Sequence, residues 1–221
     1  IVCVIGEIGM GKTMLSRMLM ERLRDHPVDT VYLPNPVFDR NEILDAIGRD
    51  LLGAPLRGSR TEMVVTLEKA LIQRHGEGRR VVVVIDEAHS MPPGTLEEIR
   101  LLSNLETTQN KLLKIMLFGQ PELDTVLKAT NLRQVKDRIS FRFDLHPLTH
   151  PEIAGYLDFR LRKAGFRGSA LFTPDAVRRL AAACGGRTRR LNMLADKSLL
   201  AAFAANAAVV QGEHVDRACA D

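Results

Sequence analysis

The sequence predicts an α/β fold: a parallel five-stranded sheet flanked by helices over residues 1–146, followed by a small all-α domain over 147–221. Three observations predict it. Short apolar runs alternate with helix-period segments through the first two thirds of the chain, the pattern of βαβ units. One run, at 81–85, is five consecutive β-branched residues, as a central strand buried on both faces requires. After Pro147 no further strand pattern appears, and helical spacing continues to the end.

The elements follow in order. Residues 1–5 form an apolar run stopped by Gly6, and 12–23 carry helical spacing with Leu15, Met18, Leu19 and Leu23 on one side. A second strand is expected at 30–33. Asp39 and Glu42 have capping-box spacing, and Ile43, Ile47, Leu51 and Leu52 carry that helix to Gly53. Another helix is expected at 61–74, the central strand at 81–85, and a helix at 93–105 with Pro at its start. A fourth strand at 112–118 breaks at Gly119 and Pro121. Phe141, Phe143 and Leu145 alternate with Arg142 and Asp144, which predicts a half-buried fifth strand. Helices are then expected at about 149–164, 174–184 and 188–206, with a short one near 212–220.

Composition narrows the class. With 45 % hydrophobic and 26 % charged residues, the 221-residue chain is of ordinary globular make-up. Eight Phe, two Tyr and no Trp argue against an aromatic platform for single strands. Cys3, Cys184 and Cys219 are too scattered for a disulfide framework or paired metal ligands, which fits a reducing compartment. No run reaches the roughly 18 apolar residues that span a bilayer; the nearest, 199–210, is short and interrupted by Asn206. The chain opens on Ile1 inside a strand and reads as a fragment. Its net charge of +4 is uneven: 15 basic and 6 acidic residues over 128–197 give +9 there and leave −5 elsewhere. Such a basic half suits nucleic acid or phosphates, or equally a solvated helical surface.

The chemistry concentrates in two motifs. Gly6-Glu7-Ile8-Gly9-Met10-Gly11-Lys12-Thr13 satisfies G-x-x-x-x-G-K-[ST] between an apolar strand and an amphipathic helix. Glycines let backbone N–H groups wrap a phosphate, and the helix N-terminus adds positive potential. Lys12 would reach the β- and γ-phosphates of ATP, and Thr13 would ligate Mg²⁺. The second motif is the 81–85 strand ending in Asp86-Glu87. Asp86 would hold Mg²⁺, and Glu87 would take the proton of the attacking water. GTPase base-reading signatures are absent. Asp86-Glu87-Ala88-His89 spells a helicase string, but such helicases need two tandem α/β domains, so His89 reads as a local helix-entry residue.

The motifs together resemble an AAA+ ATPase of the P-loop class. Within that superfamily the chain is similar to the ExeA/general secretion pathway A group, which takes in the MSHA pilus biogenesis protein MshM. The cues are the phosphate loop, Ile85-Asp86-Glu87-Ala88-His89, Phe118-Gly119-Gln120-Pro121-Glu122-Leu123, Arg138-Ile139, and 185–192 with its Gly-Gly-x-x-Arg pattern. Transposition ATPases of the TniB and TnsC kind share much of this set.

The resemblance implies roles for further residues. Gln120 takes the place of the polar sensor after the fourth strand, where relatives carry Asn, Ser or Thr. Asn35 matches a polar switch for the catalytic Glu, or serves plain turn chemistry before Pro36. Arg138 matches the arginine finger that completes a neighbouring subunit's site, with Arg133 as the other candidate; a surface ion pair is the plainer alternative for it. Arg189 matches the lid sensor, with Thr188 where the family has Pro. The loop residues 6–13 and Met14 complete the expected nucleotide-binding set, and part of the adenine contact is expected upstream of Ile1. The implied activity is ATP hydrolysis at the β–γ phosphoanhydride in a homo-oligomeric ring or filament. Its implied partners are the type IV pilus or type II secretion assembly proteins, in the cytoplasm and peripheral at the inner membrane. The rival readings are a DNA-associated ATPase that regulates transposition, and a nucleotide-dependent adaptor that scarcely hydrolyses.

Overall fold

The computed structural model describes residues 1–107, 110–129 and 132–220. By contacts the chain divides after Leu145 into two compact units. The first comprises residues 1–7 and 12–145; the second comprises 146–221 together with the loop tip 8–11.

The first unit is built on five parallel strands, β1 (Val2–Ile5), β2 (Val28–Leu33), β3 (Arg80–Ile85), β4 (Leu113–Gly119) and β5 (Phe141–Asp144), in the order β2-β3-β4-β1-β5. Every pairing is parallel, so all five carboxyl ends lie on one rim. The register makes this concrete: Leu33 faces Ile85, Ile85 faces Leu117, and Ile5 faces both Gly119 and Asp144. The ladder runs one residue further through the amide N–H groups of Gly6, Asp86 and Leu145, which donate to Gly119, Leu33 and Ile5. The chain thus leaves the phosphate motif, the Asp86-Glu87 pair and Gln120 at a single edge of the sheet, where open α/β folds bind ligands.

Helices α1 (Lys12–Leu23), α2 (Arg40–Leu52), α3 (Arg60–Gly76) and α4 (Pro93–Leu102) connect the strands. The Asp39–Glu42 capping box forms as its spacing predicts: Asp39 accepts from the amides of Asn41 and Glu42, and the Glu42 carboxylate accepts from the Asp39 amide at 2.7 Å. Ser59 and Glu62 repeat it on α3. The main core lies on one face of the sheet and includes Ile43, Ile47, Leu67, Leu71, Val83, Ile85, Leu96 and Ile99. A smaller cluster covers the other face, where Leu19, Met20 and Leu23 of α1 meet Val4, Val82, Val84 and Phe118.

Three expectations are corrected. The buried stripe of α1 is Lys12, Ser16, Leu19, Met20 and Leu23, whereas Leu15 and Met18 are exposed. Burial of Lys12 at the head of the helix sets its rotation, and the same stripe then continues inward at helical spacing. The fifth strand is not half-buried: all four residues are exposed, Phe141 by 63 % and Phe143 by 57 %. It is an edge strand paired only with β1, so alternation alone did not imply a covering layer. Helix α4 stops at Leu102 rather than at 105, and two short helices, α5 (Glu122–Leu127) and α6 (Arg133–Asp137), occupy the segment between β4 and β5.

The second unit carries α7 (His150–Lys163), α8 (Pro174–Cys184), α9 (Thr188–Ala204) and α10 (Gly212–Ala220) around Ile153, Leu157, Leu180, Leu191, Leu194 and Val215. Thr149 and Glu152 cap α7, and Thr173 caps α8 by accepting from the Ala176 amide. Among the described residues no helix is long and apolar enough to cross a membrane.

Candidate functional site

The rim of the sheet assembles the site. Gly9 and Gly11 lie at φ +81° and +90°, a region that L side chains rarely enter, which explains glycine at both positions of the motif. Lys12 is buried, and its Nζ donates to the carbonyls of Gly6 at 2.6 Å and Glu7 at 3.0 Å. Burial pulls its pKa below the ordinary lysine value, opposed by the nearby charges of Glu87, Asp86, Glu7 and Glu122. The ammonium thus holds the base of the loop and faces a negative set of carboxylates. Thr13 is exposed at the start of α1.

Asp86 is 1 % exposed. Its Oδ1 accepts the Glu87 amide at 3.0 Å and its Oδ2 accepts the Tyr32 hydroxyl at 3.3 Å. Among the described residues it forms no ion pair, and a buried carboxylate without a cation partner is costly. Glu87 stands at φ +51°, one of two non-glycine residues in the left-handed region among those described. That turn ends β3 and opens a short 3₁₀ turn at Ala88–Ser90, instead of letting an α-helix start at the acidic pair. Gln120, one residue past β4, donates through Nε2 to Glu87 Oε2 at 3.2 Å, and the same nitrogen lies 2.9 Å from His89 Nε2.

The structure therefore brings Lys12, Asp86, Glu87 and Gln120 to one rim, with Tyr32 and His89 added. Spacing gave no signal for Tyr32 beyond its position near the end of β2. His89 was visible in the Asp-Glu-Ala-His string, but its partner comes from 31 residues away. Asn35 lies exposed in the loop after β2 and forms no hydrogen bond to Glu87. Arg138 caps α6 just before β5, and Arg133 opens α6; both are exposed, and neither guanidinium is paired among the described residues. Arg189 belongs to the second unit, exposed in the first turn of α9, as is the loop tip 8–11 by grouping.

Residues 1–127, more than half of the chain, match the family model described as AAA domain. The chain belongs to the AAA domain family. Over 206 residues it is 39 % identical to General secretion pathway protein A of Aeromonas hydrophila, an alignment that takes in 92 % of this chain and 37 % of that protein. The chain thus spans little more than a third of its curated relative. Two solved structures share the fold. Cdc6p of Pyrobaculum aerophilum superimposes with a TM-score of 0.76 at 23 % identity, over 98 % of this chain and 59 % of that one. The ORC2 protein of Aeropyrum pernix, solved as ADPNP-ADP complexes, gives 0.71 at 18 % identity, over 100 % and 61 %.

Proposed function

We propose that this chain binds Mg²⁺-ATP and hydrolyses its β–γ phosphoanhydride, and that the energy drives assembly of a secretion or pilus machine. The observation that carries the reading is the rim itself: buried Lys12 and Asp86 beside a Glu87 carboxylate held by Gln120. Gly6, Glu7, Ile8, Gly9, Met10 and Gly11 would cradle the phosphates with backbone N–H groups, and Lys12 would turn from the loop carbonyls to the β- and γ-phosphates. Met14 and Arg189 would complete the nucleotide contacts.

The residues present fit magnesium. Asp86 is a buried hard-oxygen donor that forms no ion pair among the described residues, and the Thr13 hydroxyl would supply a second oxygen. Among the described residues no group of three or more His, Cys, Asp or Glu side chains forms a metal cage. A magnesium ion held by one carboxylate, one hydroxyl, waters and nucleotide phosphates matches that element's preference. When bound it would neutralise charge building on the phosphoryl oxygens.

Glu87 would accept the proton of the attacking water as the water oxygen bonds to the γ-phosphorus. The bond to the β–γ bridging oxygen breaks, and ADP and phosphate leave. Gln120 aims Glu87 and would orient the water. Arg138, or Arg133, would supply a permanent planar cation to the site of an adjacent subunit, which makes the active unit an oligomer. The relative's name, a general secretion pathway protein, supports secretion as the client process; assembly of an MSHA-type pilus, and a place at the cytoplasmic side of the inner membrane, rest on the resemblance of the motifs alone.

The test is Glu87→Gln. The amide keeps the side chain's shape and can still accept from Gln120, so nucleotide binding should persist while turnover falls by roughly 10²–10⁴. Unchanged turnover in this variant would refute the assignment. Lys12→Ala should instead abolish tight ATP binding in calorimetry.

A further inference from the structure

We propose that His89 is a positioning residue for hydrolysis: by accepting one amide hydrogen of Gln120, it aims the other at the Glu87 carboxylate. The proposal rests on the ATPase reading above and adds one working side chain to that site.

The argument starts from Gln120. One nitrogen, Nε2, lies 3.2 Å from Glu87 Oε2 and 2.9 Å from His89 Nε2. An ionised carboxylate only accepts hydrogen bonds. Rotating the amide by half a turn would set its oxygen against a carboxylate oxygen at the same distance, which is repulsive. The contact with Glu87 therefore identifies the group facing the carboxylate as the NH₂ and not the oxygen. Nε2 has two hydrogens; one goes to Glu87, and the other points at His89. The histidine nitrogen must then be the acceptor, so the ring is neutral and carries its proton on Nδ1.

That tautomer has a cost which is visible in the structure. His89 Nδ1 is buried and has no hydrogen-bond partner among the described residues. A ring that only filled space would turn to satisfy that nitrogen, or an apolar residue would stand there at less cost. The ring instead holds the one orientation that engages Gln120. Its side chain is 17 % exposed, packed within the 3₁₀ turn that follows Glu87.

The benefit falls on Glu87. Its side chain is 39 % exposed, and the only side-chain hydrogen bond it accepts among the described residues comes from Gln120. His89 Nε2 lies 3.5 Å from Glu87 Oε2, too long and wrongly protonated for a direct bond in this arrangement. Without His89, Gln120 is free to turn about its terminal torsion, which is a broad, soft rotation. Glu87 then loses its aim, although its own chemistry is untouched. A role exerted through Gln120 also predicts that the two residues act as one unit.

The experiment is a double-mutant cycle on kcat, with ATP affinity measured separately by calorimetry. His89→Ala should lower kcat about ten- to a hundredfold, the scale of a misplaced catalytic group, and leave ATP affinity within about twofold. Combined with Gln120→Ala, it should lower kcat no further than Gln120→Ala alone, because the path through Gln120 is already cut. His89→Gln, whose side-chain oxygen can stand where Nε2 stood, should recover most of the loss and guards against a folding defect. In the native chain, ¹⁵N shifts of the imidazole should report a protonated Nδ1 and a bare Nε2. Wild-type kcat in His89→Ala, fully multiplicative losses, or a proton on Nε2 would each overturn the proposal. Glu87→Gln separates the two layers. Wild-type turnover in that variant would overturn the hydrolytic reading and this proposal with it, whereas its loss beside an unaffected His89→Ala would overturn this proposal alone.

Discussion

Arg60→Ala should destabilise the sheet-bearing unit by about 3 kcal/mol, at the low end of the cost of breaking a buried ion pair. Glu98 of α4 is wholly buried, and each of its oxygens accepts one guanidinium hydrogen bond at 2.8 Å, from Arg60 Nε and Nη2. Among the described residues nothing else pairs with that carboxylate. Removing the arginine strands a charge in the core, which costs about 3–5 kcal/mol where no water reaches it. Arg60 is 41 % exposed, so water enters the space it leaves, and the lower end applies. An exposed pair would be worth about 1 kcal/mol or less. The double variant Arg60→Met, Glu98→Met removes both charges and should recover most of the loss. Urea unfolding at neutral pH measures this directly: with m of about 1–3 kcal/mol/M, the single variant's midpoint should fall by roughly 1–3 M at unchanged m. A loss below about 0.5 kcal/mol, or a double variant no better than the single, would refute the reasoning.

Other consequences follow from the same geometry. Tyr32→Phe removes the hydroxyl that fixes Asp86 and should raise the Mg²⁺ needed for half-maximal nucleotide binding about tenfold, read by metal titration of a fluorescent ATP analogue; an unchanged titration counts against Asp86 as the ligand. Subunits carrying Arg138→Ala, mixed with Glu87→Gln subunits, should regain turnover because each restores the half the other lacks, and a finger contributes about 10³–10⁵ in rate; co-assembled mixtures without recovery would shift the role to Arg133. Hydrogen bonding from Arg79 holds the Asp29 carboxyl below its ordinary value of 3.8, so its stabilisation is complete above that pH and fades as pH falls through the lowered folded value. Asp29→Asn should therefore flatten the acid limb of stability below about pH 4, and an unaltered acid limb would show the pair idle.

The strands were legible because burial on both faces writes a continuous apolar run, as at 81–85, and burial on one face writes a period. That second inference failed at β5. Phe141 and Phe143 alternate with Arg142 and Asp144, yet the alternation records the pleat and says nothing of what covers it. Helix α1 failed differently. Several apolar residues lay within reach of a common face, and the choice among them was made by Lys12, whose burial no hydropathy pattern announces. Short α5 and α6 carry too few turns to show a period. In the site, the contiguous motifs were readable because their spacing is local chemistry: a glycine loop before a helix, a carboxylate pair after a strand. Tyr32 and His89 were not assigned their contacts, because each contact joins residues whose separation, 54 and 31, is set by strand order.

The charge asymmetry weighs on the choice between an assembly motor and a DNA-associated ATPase. A reader of duplex DNA needs unpaired basic side chains converging on phosphates, and its binding falls steeply with salt. Of the fifteen basic residues in 128–197, four form ion pairs among the described residues. Arg142 pairs with Asp124 and Asp144, Arg162 with Asp158, Arg178 with Asp175, and Arg179 with Asp175 and Asp216. Lys163 lies over the Phe159 ring at 5.8 Å. These contacts are distributed over β5, α7 and α8 and gather into no single stripe. Arg187, Arg189 and Arg190 stand together at the head of α9, where the resemblance assigns Arg189 to the nucleotide. Engaged arginines can exchange partners at low ionic strength, so DNA retention there would be weak evidence. Binding of duplex tighter than roughly micromolar at about 150 mM salt would exceed ordinary non-specific affinity and would move the balance to the transposition reading. Affinity weaker than that, together with co-purification of secretion or pilus components from inner membranes, is the outcome the assembly reading expects.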